Sequence, residues 1–173
     1  MKVLFIAPRF PLPANSGGAI ATLETLRSIH SLCDLHLLVP PPDSESDSQV
    51  AELRRLLPDI SLHFFEVGEM EPKGFQMYKT AAKSALMGQS YWAFLWINPK
   101  LRSAVESLAA QHRYDVVHCE WLQTAISLKG LDLPLLVRAL DVHFVGMRHW
   151  ADTLPPNQKL RRSFWQKQAE YFR

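Results

Sequence analysis

Three short segments hold the residues best suited to chemistry. Asp115-Val116-Val117-His118-Cys119-Glu120-Trp121 closes an apolar run with an imidazole, a carboxylate and an indole. Read as a strand, it points His118 and Glu120 one way and Cys119 the other, which argues against a three-ligand metal site. An acid following a buried run is expensive unless it is solvated or hydrogen-bonded, so Glu120 stands out as a candidate catalytic group. His118 and Trp121 would line the same mouth, although a histidine near a strand end is also an ordinary packing residue.

The second segment is Ser16-Gly17-Gly18, directly ahead of a helical pattern. Missing side chains there let a ligand approach backbone N–H groups, and the helix dipole favours negative charge, so a phosphate is the natural guest. Paired glycines also serve to turn a chain or to pack a helix on a strand. The spacing is not that of the dinucleotide fingerprint, and no P-loop lysine follows, which counts against tight NAD binding and ATP hydrolysis. The third segment, Asp141-Val142-His143, sets an aspartate near an imidazole whose basicity or tautomer it could control. In the alternative, Asp141 caps the next helix and His143 lies on the surface. Asp43, Glu45 and Asp47 occupy a Pro- and Ser-rich loop that reads as the solvated start of a helix, and no metal is expected.

The elements that must position these groups alternate in type. Val3 to Ala7 is a continuous apolar run suited to a strand covered on both faces. A loop from Pro8 to Gly18 leads to a helix with Ile20, Leu23, Leu26 and Ile29 on one side. Leu35 to Val39 is a second strand ended by Pro40 to Pro42, a helix carrying Val50, Leu53, Leu56 and Leu57 stops at Pro58, and Ile60 to Val67 is a third strand. Between Gly68 and Asn98, Met77, Tyr78, Ala81, Ala82 and Leu86 suggest a helical insertion. Pro99 opens a helix with Leu101, Val105 and Leu108, Val116 to Cys119 is the fourth strand, Leu122 to Leu128 a short helix, and Leu135 to Leu140 the fifth strand. From Gln158, Leu160, Phe164, Trp165 and Phe172 recur between basic residues as an amphipathic helix that needs a surface to cover.

Right-handed crossovers turn this repeat into a Rossmann-like, doubly wound parallel α/β sheet with helices on both faces, read as one domain over residues 1–173. With strand order three, two, one, four, five, ligands bind at the carboxyl ends between the first and fourth strands. There the Pro8–Gly18 loop and the Glu120–Gln123 segment converge.

Composition narrows the class. A formal charge of +2 over 173 residues makes no basic stripe of the kind that binds nucleic acid. Two cysteines, Cys33 and Cys119, both in apolar contexts, fit a reduced, cytoplasmic protein. The apolar run at the N-terminus is shorter than a signal-peptide core, and no stretch reaches the roughly 18 apolar residues of a membrane span. Contact with a membrane surface stays open.

The opening Lys2-Val3-Leu4-Phe5-Ile6-Ala7-Pro8-Arg9-Phe10-Pro11, with Ser16-Gly17-Gly18 at a helix start, resembles the first strand and glycine-rich loop of the GT-B fold glycosyltransferases of family four, in their N-terminal domain. Asp115-Val116-Val117-His118 with Glu120-Trp121-Leu122-Gln123 resembles a fourth-strand signature of one subgroup, and Asp141-x-His143 the segment after the fifth. The resemblance implies retaining transfer of a sugar from a nucleoside diphosphate sugar, as co-substrate without a metal cofactor, to a glycan, lipid-linked or small-molecule acceptor. It implies too that a C-terminal Rossmann-like domain, absent here, holds the donor, so that this chain alone transfers nothing. Gly17 and Gly18 would approach the diphosphate, while Glu120 and His143 would line the cleft. The chain departs from the pattern at Glu120, where many relatives carry histidine, and at Val142 and Phe144, where the subgroup has glutamate and asparagine. A stand-alone module binding a phosphorylated or sugar ligand without turnover is the alternative; an epimerase or dehydrogenase fragment fits the glycine spacing poorly.

Overall fold

A computed structural model describes residues 1–42, 46–67, 74–139 and 143–171, with Ser46 and His143 described by their backbone only. Among the described residues, five strands form one parallel sheet: β1 (Lys2–Ile6), β2 (Asp34–Val39), β3 (Ser61–Phe64), β4 (Val116–Glu120) and β5 (Leu135–Arg138). Their order is β3-β2-β1-β4-β5, the doubly wound order expected from the strand-helix repeat. The crossovers run through α1 (Gly17–Ile29), α2 (Ser46–Leu56), α5 (Pro99–Gln111) and α6 (Leu122–Ser127). The remaining helices are α3 (Phe75–Leu86), α4 (Tyr91–Trp96), α7 (His143–Thr153) and α8 (Lys159–Tyr171).

Alternation along β1 explains why its sequence is apolar throughout. Val3 and Phe5 enter a core shared with Leu23 and Leu26 of α1 and Leu53 of α2, while Leu4 and Ile6 enter a second core with Leu101, Val105 and Leu108 of α5. Both faces of the sheet are therefore covered by helices, as the run of apolar residues requires. The edge strands differ. Leu135, Leu136 and Val137 of β5 are all exposed, and β3 is only four residues long, shorter than the apolar stretch from Ile60 to Val67.

The chain groups into two compact units. The sheet, α1, α2, α5 and α6 make the first, and the second gathers α3, α4, α7 and α8. In the second, α7 packs on α8, Trp92 of α4 stacks against Trp165 of α8 with ring centroids 6.2 Å apart, and Ser90, the N-cap of α4, hydrogen-bonds Gln168. Helix α8 forms where the amphipathic tail predicts it, yet it buries Gln168 and Ala169 and leaves Leu160 exposed.

Candidate functional site

The strand order reverses between β1 and β4, and the segments that follow those two strands meet at this point. Ser16 caps α1: its Oγ accepts from the Ala19 N–H, which orders the glycine turn at the helix start. The two glycines have different surroundings. A Cβ on Gly17 would meet no atom within 4 Å, whereas one on Gly18 would lie 3.0 Å from Cη2 of Trp121 and closer still to Cζ2. Gly18 is thus small because the Trp121 indole packs on α1, and Gly17 keeps open space at the first turn, where N–H groups have no partners within the helix.

Trp121 reaches that position through an unusual backbone. Its φ of 69° is positive, a conformation that costs a non-glycine residue about 1–3 kcal/mol, and its N–H donates to the Arg138 carbonyl at 2.9 Å. Propensity gives no sign of this. The indole Nε1 is buried without a hydrogen-bond partner among the described residues, and so is Oε1 of Gln123 two residues on.

Glu120, the last residue of β4, is fully buried, and its carboxylate is paired on both oxygens. Oε1 accepts from Thr22 Oγ1 of α1 at 3.3 Å and meets Arg138 Nη1 of β5 at 3.2 Å, while Oε2 accepts from His118 Nε2 at 3.0 Å. His118 in turn stacks on Phe5 of β1, with centroids 4.2 Å apart and planes 10° off parallel. Arg138 reaches further to Thr25 Oγ1 and to the Ala21 carbonyl of α1. One acid therefore ties α1, β4 and β5 together at their common end, and the cost of burying it is met by hydrogen bonds and opposite charge. His118 and Glu120 do share a face, with Cys119 in the opposite core, as strand alternation predicts.

Sequence reasoning singled out Glu120 and His118, but not the other two partners of the carboxylate. Arg138 and Thr22 carry no motif, and only the need to pair a buried acid could have pointed to a base on the neighbouring strand. Asp141 lies outside the described residues, as do Asp43 and Glu45 of the acidic loop. His143 is described only as the first residue of α7, in the second unit. Among the described residues no group of three or more His, Cys, Asp or Glu is arranged to hold a metal ion. None of their helices is long and apolar enough to cross a membrane. No protein-family model matches the chain, and no curated protein matches it.

Proposed function

We propose that this chain is the acceptor-side domain of a cytoplasmic, retaining glycosyltransferase, with the diphosphate of a nucleoside diphosphate sugar approached by the first turn of α1. The observation that carries the reading is the meeting of the glycine-led α1 terminus with the β4 tip at the point where the sheet reverses. Open space at Gly17 suits the close approach of a phosphate to backbone amides. The unpaired Trp121 Nε1 and Gln123 Oε1 offer a donor and an acceptor of the kind that hydroxyl-rich ligands satisfy. On this reading a second Rossmann-like domain holds the donor, the acceptor is a glycan, a small molecule or lipid-linked, and no metal takes part.

Glu120 then acts as a positioning residue. Its oxygens are taken up by Thr22, Arg138 and His118, which set the distance between α1 and the strand ends. This same pairing favours a second reading, binding of a phosphorylated or sugar ligand without turnover, because the buried carboxylate has no free oxygen for acid–base work. The two are separated by measuring nucleoside diphosphate release and acceptor glycosylation by the two-domain protein. Gly17→Val, which puts a branched side chain into the space left for phosphate, should lower transfer by about a hundredfold with little change in melting temperature. Transfer unchanged in that variant would remove the loop from the active site. Ligand binding without any product from the wild type would favour the binding module.

A further inference from the structure

Helix α3 is amphipathic with its faces reversed. Against the second unit it turns Thr80, Ala81 and Ser84, small or polar and at least partly buried. Toward solvent it turns Phe75, Tyr78, Ala82 and Leu86, spaced i, i+3, i+7 and i+11 along one stripe. Phe75 is 72% exposed, Tyr78 67% and Leu86 90%, and Met87 just beyond the helix extends the apolar surface. Single exposed apolar residues are ordinary, but a contiguous stripe on one helix marks a surface that something covers.

The charges beside the stripe say what that is. Lys79 Nζ sits 5.0 Å from the centroid of the Phe75 ring and Lys83 Nζ 5.6 Å from that of Phe94, so both ammonium groups border the apolar band. No Asp or Glu occurs from Pro72 to Val105, in a chain whose acids otherwise nearly balance its bases. An aromatic and aliphatic stripe flanked by lysines and free of acids matches a layer that is apolar below and negatively charged above, the profile of an anionic lipid surface.

We infer that the exposed face of α3 is an interfacial anchor that lays Phe75, Tyr78 and Leu86 into the headgroup boundary of an anionic bilayer, with Lys79 and Lys83 on the lipid phosphates. The anchor requires none of the groove chemistry and stands apart from the transferase reading. Sedimentation of the whole chain with vesicles tests it. Phosphatidylcholine vesicles containing about a third phosphatidylglycerol should retain at least about tenfold more protein than pure phosphatidylcholine, with the difference shrinking at high salt. Phe75→Ser combined with Leu86→Ser should abolish retention, and Lys79→Glu combined with Lys83→Glu should abolish the preference for the anionic lipid. All four sites are exposed, and circular dichroism checks that each variant keeps its fold. Retention that is equal on both vesicle types, or undiminished in the serine variant, overturns the inference. So does a wild-type dimer that the serine variant converts to monomer without any lipid binding, which would assign the stripe to a second copy of the chain.

Discussion

Gly17 and Gly18 are neighbours in one helix turn, and the structure gives their replacement by alanine opposite signs. At Gly17 the added methyl meets open space, so the change acts mainly through the unfolded chain and helix propensity, stabilising by about 0.4–1 kcal/mol. At Gly18 the methyl would come within 3.0 Å of Trp121 Cη2 and closer to Cζ2, too near for real carbon atoms. The indole cannot swing aside freely, because its backbone is held at φ 69° by the hydrogen bond to the Arg138 carbonyl. Overpacking of this kind costs about 1–3 kcal/mol, and subtracting a propensity gain of up to about 1 kcal/mol leaves a net loss of roughly 1–2 kcal/mol. The two variants should thus differ by about 2 kcal/mol, or around 5 °C in melting temperature for a chain of this size. Urea unfolding at constant m-value reads the difference directly. A double-mutant cycle sharpens it, since in a Trp121→Leu background the cost at Gly18 should fall to near zero. Equal effects at both glycines, or a Gly18→Ala loss that survives the removal of the indole, would refute the packing of α1 on the β4 tip.

Two further outcomes follow from the buried polar groups. Glu120→Gln keeps the shape but removes the charge facing Arg138 and His118; breaking a buried pair costs about 3–5 kcal/mol, and because Arg138 is 30% exposed and regains some hydration, the loss of unfolding free energy should fall near about 3 kcal/mol. A loss under about 1 kcal/mol by urea denaturation would show that the carboxylate does not hold α1 to the sheet. At the opposite end of the sheet, His36 Nδ1 lies 3.1 Å from His63 Nε2 and 3.0 Å from the Tyr114 hydroxyl, with His112 edge-on to the His36 ring and Asp34 3.6 Å from its Nε2. Burial holds His36 below the usual imidazole range against the pull of Asp34, helped by the like-charge cost of protonating it beside His63, Lys2 and His112, and burial followed by the same cost beside His112 does so for His63. The fold therefore keeps both rings neutral while the unfolded chain takes up protons, so stability is full above about pH 6.5 and declines as the pH falls from there toward the lowered values in the fold. The urea midpoint should drop between about pH 7.5 and 5.5, less steeply in His36→Phe; a midpoint flat over that range would contradict the cluster's neutrality.

The parts of the fold governed by period and burial could be read in advance. The unbroken apolar run of β1 and the proline stops after β2 and α2 place the elements within a residue or two of where they form. Strand alternation likewise put His118 and Glu120 on one face. What could not be read depends on long-range placement. Thr22 falls between Leu26 and Ile29 on the helical wheel, so period accounts for its burial, but its role as a donor to Glu120, 98 residues away, has no local signal. Ile20, grouped with the apolar residues by its three-residue spacing from Leu23, falls between Arg27 and Glu24 on the same wheel and is 49% exposed. Trp121 takes a positive φ that no local preference favours, and α3 turns its large apolar residues outward, against the assumption that periodic apolar residues mark a core.

On the proposed function, the first turn of α1 and the β4 tip line one groove for a diphosphate. Titrating the ¹⁵N-labelled chain with uridine diphosphate and with inorganic pyrophosphate, and following the amide and indole N–H signals, tests it most directly. The Gly17 and Gly18 amides and the Trp121 indole N–H should shift together along one saturating curve. Shifts confined to other regions, with these three signals unmoved at saturation, would contradict it.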